Sequence, residues 1–358
     1  MRLAPSPRAH GGDAPRGTLD FSAPLNPLGP PAWLLEALTS ALGGLAAYPR
    51  PSYERLREAL AGLHPGLDPG MLVPLNGAAE ALQLALLALA PRRLLVVEPT
   101  FGDNALQAGA AGVDYEPVLM RRGPQGWSLD PEALCMRPRE RLTGALVLLS
   151  NPNNPTGHHA PPEELEALAG CLWERGAWLL VDEAFLRLSQ RPHWSMASRA
   201  PPNTIVVGSL TKDLALPGLR LGYLVAHDRR VAATLDSARQ PWNVNTLAAA
   251  AGEALAENRR LLAAHLEAAR RLIAAEAPRI LGGLRALGLT AWWGGPPFIL
   301  VHHPSKPHPH LNRALHARGF HVRDASSFHG LGPEYSRISI RLPGENAALL
   351  EALAASLD

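Results

Sequence analysis

The chain has 358 residues, a length that at ~150 residues per domain suggests about two domains. Hydrophobic residues make up 47% and charged residues 18%, enough for a large core and too few charges for wholesale disorder. With 34 basic against 32 acidic residues the formal charge is +2, which excludes the basic footprint of a nucleic-acid binder. The cysteines, Cys135 and Cys171, are too few for a disulfide framework or a cysteine-rich zinc site. Met1 to His10 has no apolar secretion signal, and no apolar run reaches the ~18 residues of a membrane span. The expectation is a soluble, cytoplasmic protein.

In chain order, residues 1–32 are rich in proline and glycine and read as an N-terminal arm packing with a small domain. Asn76-Gly77-Ala78-Ala79-Glu80 opens an apolar helix running to Ala90, and the amides of Gly77 and Ala78 form an anion site at its N-terminus. Short, nearly continuous apolar runs at Leu94–Glu98, Ala145–Ser150, Trp178–Asp182, Thr204–Gly208 and Leu221–Ala226 predict strands covered on both faces. Between them Leu165, Leu168 and Leu172 repeat at helical spacing behind Pro161-Pro162. This alternation predicts an α/β domain over 33–235, built on a mostly parallel sheet with right-handed crossovers.

Farther on, Leu262, Leu266, Ala269 and Ile273 mark a long amphipathic helix with an arginine-rich outer face. Strands at Phe298–Val301 and Arg337–Ile340 and a closing helix with Leu349, Leu350, Leu353 and Leu357 complete a smaller α+β domain over 236–358. His302 to His310 holds four histidines interleaved with prolines and no carboxylate; it reads as a solvated loop, and no metal site is expected.

Glycine-rich dinucleotide and P-loop motifs, G-x-S-x-G and H-E-x-x-H are all missing, which disfavours the enzyme classes that rely on them. Lysine occurs only at Lys212 and Lys306; the other 32 basic residues are arginine. Guanidinium stays protonated, whereas an amine can lose its proton and act as a nucleophile, so a retained lysine is a candidate for Schiff-base chemistry. Lys306 lies in a proline loop and Lys212 in Ser209-Leu210-Thr211-Lys212, just past a strand end. Ligands of open α/β sheets bind at such ends. Asn151 to Gly157 and Asp182-Glu183 follow neighbouring strands, and Arg220 comes eight residues after Lys212. An amine, a carboxylate, an amide and a phosphate clamp in one place suit pyridoxal 5'-phosphate: Ser209, Thr211 and Arg220 for the phosphate, and Phe101 to stack on the ring.

Asn-Pro-Asn-Asn-Pro-Thr-Gly at 151–157, Val-Asp-Glu-Ala-Phe at 181–185 and Ser-Leu-Thr-Lys with Pro-Gly-Leu-Arg-Leu-Gly across 209–222 resemble the fold-type I pyridoxal-phosphate enzymes of the class I/II aminotransferase group, over essentially the whole chain. The resemblance implies that Lys212 bonds the cofactor aldehyde, Asp182 pairs with the pyridinium nitrogen and Asn154 bonds the ring hydroxyl. It implies a homodimer with the site at the subunit interface, Tyr48 reaching the cofactor phosphate from the partner subunit. Two branches compete. One is histidinol-phosphate aminotransferase; the other is threonine-phosphate decarboxylase, which serves cobalamin synthesis. His10-Gly11-Gly12-Asp13, the segment Asp20 to Gly29, Arg239 to Asn245, and Phe185 in place of a common tyrosine are similar to the decarboxylases. A small phosphorylated amino acid is then the expected substrate, with His10, Asn26, Arg323 and Arg337 binding it. Pro24, Pro297 and Asp213 depart from the group's pattern.

Overall fold

A computed structural model describes residues 10–357; Met1–Ala9, on which the expectation about a secretion signal falls, and Asp358 lie outside them. The arm supplies β1 (Leu19–Asp20). The strands β2 (Leu72–Asn76), β3 (Arg93–Glu98) and β4 (Asp114–Leu119) follow, then a hairpin of β5 (Arg121–Gly123) and β6 (Gly126–Ser128). Next come β7 (Ala145–Ser150), β8 (Trp178–Asp182), β9 (Thr204–Ser209) and β10 (Leu221–Ala226). The C-terminal part holds β11 (Thr290–Trp292), β12 (Phe298–His302), β13 (Phe320–His321), β14 (Arg323–Asp324) and β15 (Tyr335–Ser339).

Seven strands form one sheet in the order β2-β10-β9-β8-β7-β3-β4. Because side chains alternate along a strand, each apolar run feeds two cores. Leu95, Val97, Val147, Leu149, Leu179 and Val181 pack under the helix Pro162–Glu174 through Leu165, Leu168 and Leu172. Leu94, Val96, Leu146, Leu148, Leu180 and Ile205 pack on the other face, against Leu82 and Ala85 of the helix Glu80–Leu89. Covering both faces leaves the C-terminal strand ends as the place where polar groups gather.

The smaller sheet, β11-β12-β15-β14, is antiparallel. It lies beside a 28-residue helix, Arg259–Ala286, whose Leu262, Leu266, Ala269, Ile273, Ala277, Ile280 and Leu284 are buried, three or four residues apart as one helical face requires. The arm joins this part: β1 pairs in parallel with β13.

Several expectations are corrected. Leu221–Ala226 is a strand, but it runs antiparallel to both β9 and β2. The connection 210–220 contains two short turns, Leu210–Asp213 and Pro217–Leu219, and no crossover helix, which a parallel return needs. The sequence reading passed over β2 and β4, the two edges of the sheet. Pro74 interrupts β2, and Asp114 and Glu116 break the apolar run of β4; both features are tolerated where one flank is unpaired. The histidine loop is not simply solvated. His303 and His308 are buried, and their Nε2 atoms each lie 2.8 Å from Ser336 Oγ; no group of metal-binding side chains occurs among the described residues. Cys135 and Cys171 form a disulfide joining the helices Pro131–Cys135 and Pro162–Glu174, a role the sequence reading did not assign. No helix among the described residues is long and apolar enough to cross a membrane.

Gly208 on β9 lies against the Tyr223 ring, where an added Cβ would stand 2.1 Å from Cζ. Gly208→Ala is expected to lower stability by about 1–3 kcal/mol, read as a lower urea midpoint at an unchanged slope. An unchanged midpoint would show that the ring moves aside at no cost.

Candidate active site

A cavity of ≈ 320 Å³ opens over the ends of β3, β7, β8 and β9. Three neighbouring strands end in polar residues that line it: Ser150, Asp182 and Ser209. Beyond Ser150 the loop is held by its own side chains. The Asn151 amide exchanges hydrogen bonds with Ala160, 3.0 Å to its carbonyl and 2.9 Å from its N–H, and Thr156 Oγ1 donates to Asn153 Oδ1 at 2.7 Å. Asn154 is thereby presented to the cavity. Its Oδ1 accepts from Arg337 Nη1 at 2.5 Å, so its NH₂ is left as the donor.

Lys212 sits on a single turn, Leu210–Asp213, that follows β9 directly. Burial, reinforced by the nearby Arg337 and Arg220 guanidiniums and opposed by Asp182, brings its amine down to about 8. Asp182 is pushed up to about 6 by burial, with the Ala184 N–H and Lys212 pulling it back. An amine that loses its proton near neutrality and a carboxyl that titrates within the range of a pyridine base are the two groups such chemistry asks for.

Each end of the cavity is cationic. At one end Ala78, Ser209, Thr211 and Arg220 line the wall. Ser209 Oγ lies 2.8 Å from Thr211 Oγ1, and Gly77, at φ +77°, is packed so closely that a Cβ would meet Arg220 Nη2 at 2.3 Å. Gly222 lets β10 approach equally closely, because a Cβ there would lie 2.6 Å from Ala78 N. Hydroxyls, a guanidinium and a helix N-terminus in one wall suit a phosphate. At the other end stand His10, Arg323 and Arg337. Arg337 also donates to Ser22 O and lies over Phe298 and Phe328, at 5.6 and 6.0 Å; Arg323 lies 5.2 Å over Phe328. Burial and then Arg323 press the Arg337 guanidinium down to about 9, so it remains charged at neutral pH in a place that favours an incoming anion.

His10 Nε2 is 3.0 Å from Asp103 Oδ2, and its ring stacks on Phe101 at 5.4 Å, so Phe101 lines the cavity with one face already occupied. The sequence reading missed Asp103, as well as Gln107, whose buried Oε1 has no partner, and Phe328. Asp103 is 93 residues from His10, and no local pattern links the two.

Three expected site residues lie outside the lining. Gly77 shapes it through Arg220. Asn26 is not presented to a substrate: its Nδ2 donates to Asp213 O at 2.9 Å and its Oδ1 accepts from Leu28 N at 3.0 Å. Tyr48 is 78% exposed on the outer surface, stacked on Trp242 at 4.5 Å.

Comparison with known proteins shows what the chain is similar to. The profile of "Aminotransferase class I and II" matches residues 18–357. A threonine-phosphate decarboxylase of Salmonella typhimurium is 32% identical over 96% of this chain and 95% of its own length. A histidinol-phosphate aminotransferase of Ralstonia nicotianae is 34% identical over 93% of this chain and 87% of its own. The solved histidinol-phosphate aminotransferase of Clostridium acetobutylicum shares the fold at TM-score 0.83 and 24% identity, covering 95% of this chain and 99% of that one.

The placement of Lys212 gives a pH expectation testable without any ligand. Its neutral amine should dominate above about 8, so acylation of the cofactor-free protein, assigned by peptide mass, should rise with pH through that midpoint. A midpoint at the ordinary lysine value of 10.5 would contradict the buried, cation-flanked setting.

Proposed function

The chain belongs to the class I and II aminotransferase family, and we propose that within it the protein decarboxylates L-threonine O-3-phosphate to an aminopropanol phosphate. Its fold is that of the fold-type I enzymes, and its cofactor is pyridoxal 5'-phosphate. The residues present fit that group. Gly77 has the positive φ and the close Arg220 contact of a cradle that a Cβ would fill, and Asp182 is a carboxyl raised by burial at the strand end opposite.

When bound, the cofactor supplies an electron sink for the pair left when a bond at the substrate Cα breaks. In this proposal Gly77, Ala78, Ser209, Thr211 and Arg220 hold its phosphate, and Asp182 keeps a proton on the pyridine nitrogen. Asn154 donates to the ring hydroxyl, as its oxygen is already engaged by Arg337; Phe185, on the cavity wall, has no group to donate. Lys212 would hold the cofactor through its amine and would move a proton at the substrate Cα. His10, Arg323 and Arg337 hold the substrate's two anionic ends and so choose its orientation. Which bond at Cα would break depends on that orientation: a decarboxylase must direct loss of the carboxylate, an aminotransferase loss of the Cα hydrogen.

The observation that carries the decarboxylase reading is the second cationic end. Three positive or protonatable groups gather there apart from Arg220, matching a substrate with both a phosphate and a carboxylate. The 32% identical decarboxylase supports it. A histidinol-phosphate aminotransferase is the second reading, supported by relatives such as that of Ralstonia nicotianae. The proposed assembly is a homodimer, supported by the exposed Tyr48–Trp242 pair and its exposed neighbours Leu42 and Leu45, with Tyr48 reaching the partner's cofactor phosphate.

Incubation with threonine phosphate is expected to release carbon dioxide, while histidinol phosphate with 2-oxoglutarate yields no glutamate; glutamate without carbon dioxide would select the second reading. Arg337→Ala is expected to lower kcat/KM for threonine phosphate by about 10²-fold or more, the cost of leaving a buried anion unpaired. Activity within a few-fold of the parent would remove Arg337 from substrate binding.

A further inference from the structure

The turn that carries Lys212 spans only Leu210–Asp213, too little helix to hold its own shape. Ala215 follows at φ +52°, a left-handed conformation that a residue with a Cβ keeps only under outside constraint. Two clamps supply that constraint. From the arm, Asn26 N donates to Lys212 O at 3.0 Å, and the Asn26 amide donates to Asp213 O at 2.9 Å. From the interior, the Asp213 carboxylate, 1% exposed, faces the Arg187 guanidinium with Oδ2 3.5 Å from Nε.

Arg187 is itself fixed on several sides. Its Nη2 donates to Tyr223 Oη at 2.6 Å and lies 3.1 Å from His64 Nε2. From the long helix, Arg270 Nη1 donates to the Arg187 carbonyl at 2.8 Å. The other carboxylate oxygen, Asp213 Oδ1, is buried without a hydrogen-bond partner. Burial pushes the Asp213 carboxyl up, and Arg187 and Arg270 pull it back. Asp213 is also one of the positions where the sequence departs from its group's pattern, and the chemistry at the cavity makes no use of it.

A buried ion pair is a poor source of stability, because desolvation offsets the attraction and an apolar pair of similar volume does as well or better. What an apolar pair lacks is direction. Lys212 and Asp213 are consecutive on one turn, about 100° apart, so whatever fixes the azimuth of one side chain fixes that of the other. We propose that Arg187 and Asp213 are positioning residues: their ion pair locks the rotation of the turn and thereby aims the Lys212 amine into the cavity. This rests on the reading of Lys212 as the amine that holds the cofactor.

The test uses the holoenzyme and two variants, Asp213→Asn and the double variant Arg187→Met with Asp213→Leu, which replaces the pair by apolar side chains and leaves no unpaired charge. Thermal midpoint, the pH midpoint of the bound cofactor's visible band, and kcat and KM for the substrate the parent turns over are measured for each. The double variant is expected to melt no lower than the parent, yet to lose about 10²-fold in kcat, the scale of a misplaced reacting group, with KM changed much less. Its band midpoint should move by about 0.5 pH units or more. Asp213→Asn should move both readouts in the same sense. A double variant with the parent's kcat and band midpoint overturns the proposal, and so does one that no longer folds, since the pair would then be a stability element. A parent without any visible band would instead overturn the reading of Lys212, and this proposal with it.

Discussion

An amine surrounded by guanidiniums and shielded from water holds its proton less firmly than one in solution, and the rest of this site is arranged around that fact. Lys212 has Arg337 and Arg220 as cationic neighbours and Asp182 as an opposing carboxylate. The same crowding of positive charge that loosens the proton also makes the cavity receptive to anions at both ends. In the proposed reading one electrostatic condition therefore serves two purposes: it readies an amine, and it favours the anionic groups of cofactor and substrate.

Such crowding is costly, and the fold bears it by stiffness. The central strands are buried on both faces, so their ends move little relative to one another. The Asn151–Gly157 loop is tied by its own amides, and the arm is tied to β13 and to Ser339, whose N–H donates to Phe21 O at 2.9 Å. Arg337, on β15, reaches Asn154 in the large sheet's loop and Ser22 in the arm. A single guanidinium thus joins three separate stretches of chain at the cavity wall.

Much of the layout was legible because parallel strands announce themselves as short apolar runs and because their polar last residues are where chemistry collects. Asp182, the run Asn151 to Gly157 and Lys212 could be picked out on that ground, Lys212 more readily in a chain that otherwise uses arginine; Asn154 itself was singled out by the family resemblance. Edge strands were not legible: β2 contains a proline and β4 carries acidic residues, features that usually count against a strand. His303 and His308 look solvent-bound beside their prolines, and Ser336, some thirty residues on, gives both a buried partner. Asn26 looked like a ligand-binding amide by its motif, yet its backbone and side-chain N–H groups both donate to the backbone of the Lys212 turn and its Oδ1 accepts from Leu28 N.

The sequence by itself determined the α/β class, the order of the central strands and the identity of the chemical groups, because periodicity and residue type are local properties that survive without coordinates. The direction of β10, the pairing of His10 with Asp103, the stacking that already occupies Phe101 and the ion pair behind Lys212 were decided only by tertiary structure. Each of these joins residues far apart along the chain or depends on how a short connection turns, and such distances are set by the packing of the whole fold rather than by any stretch of it.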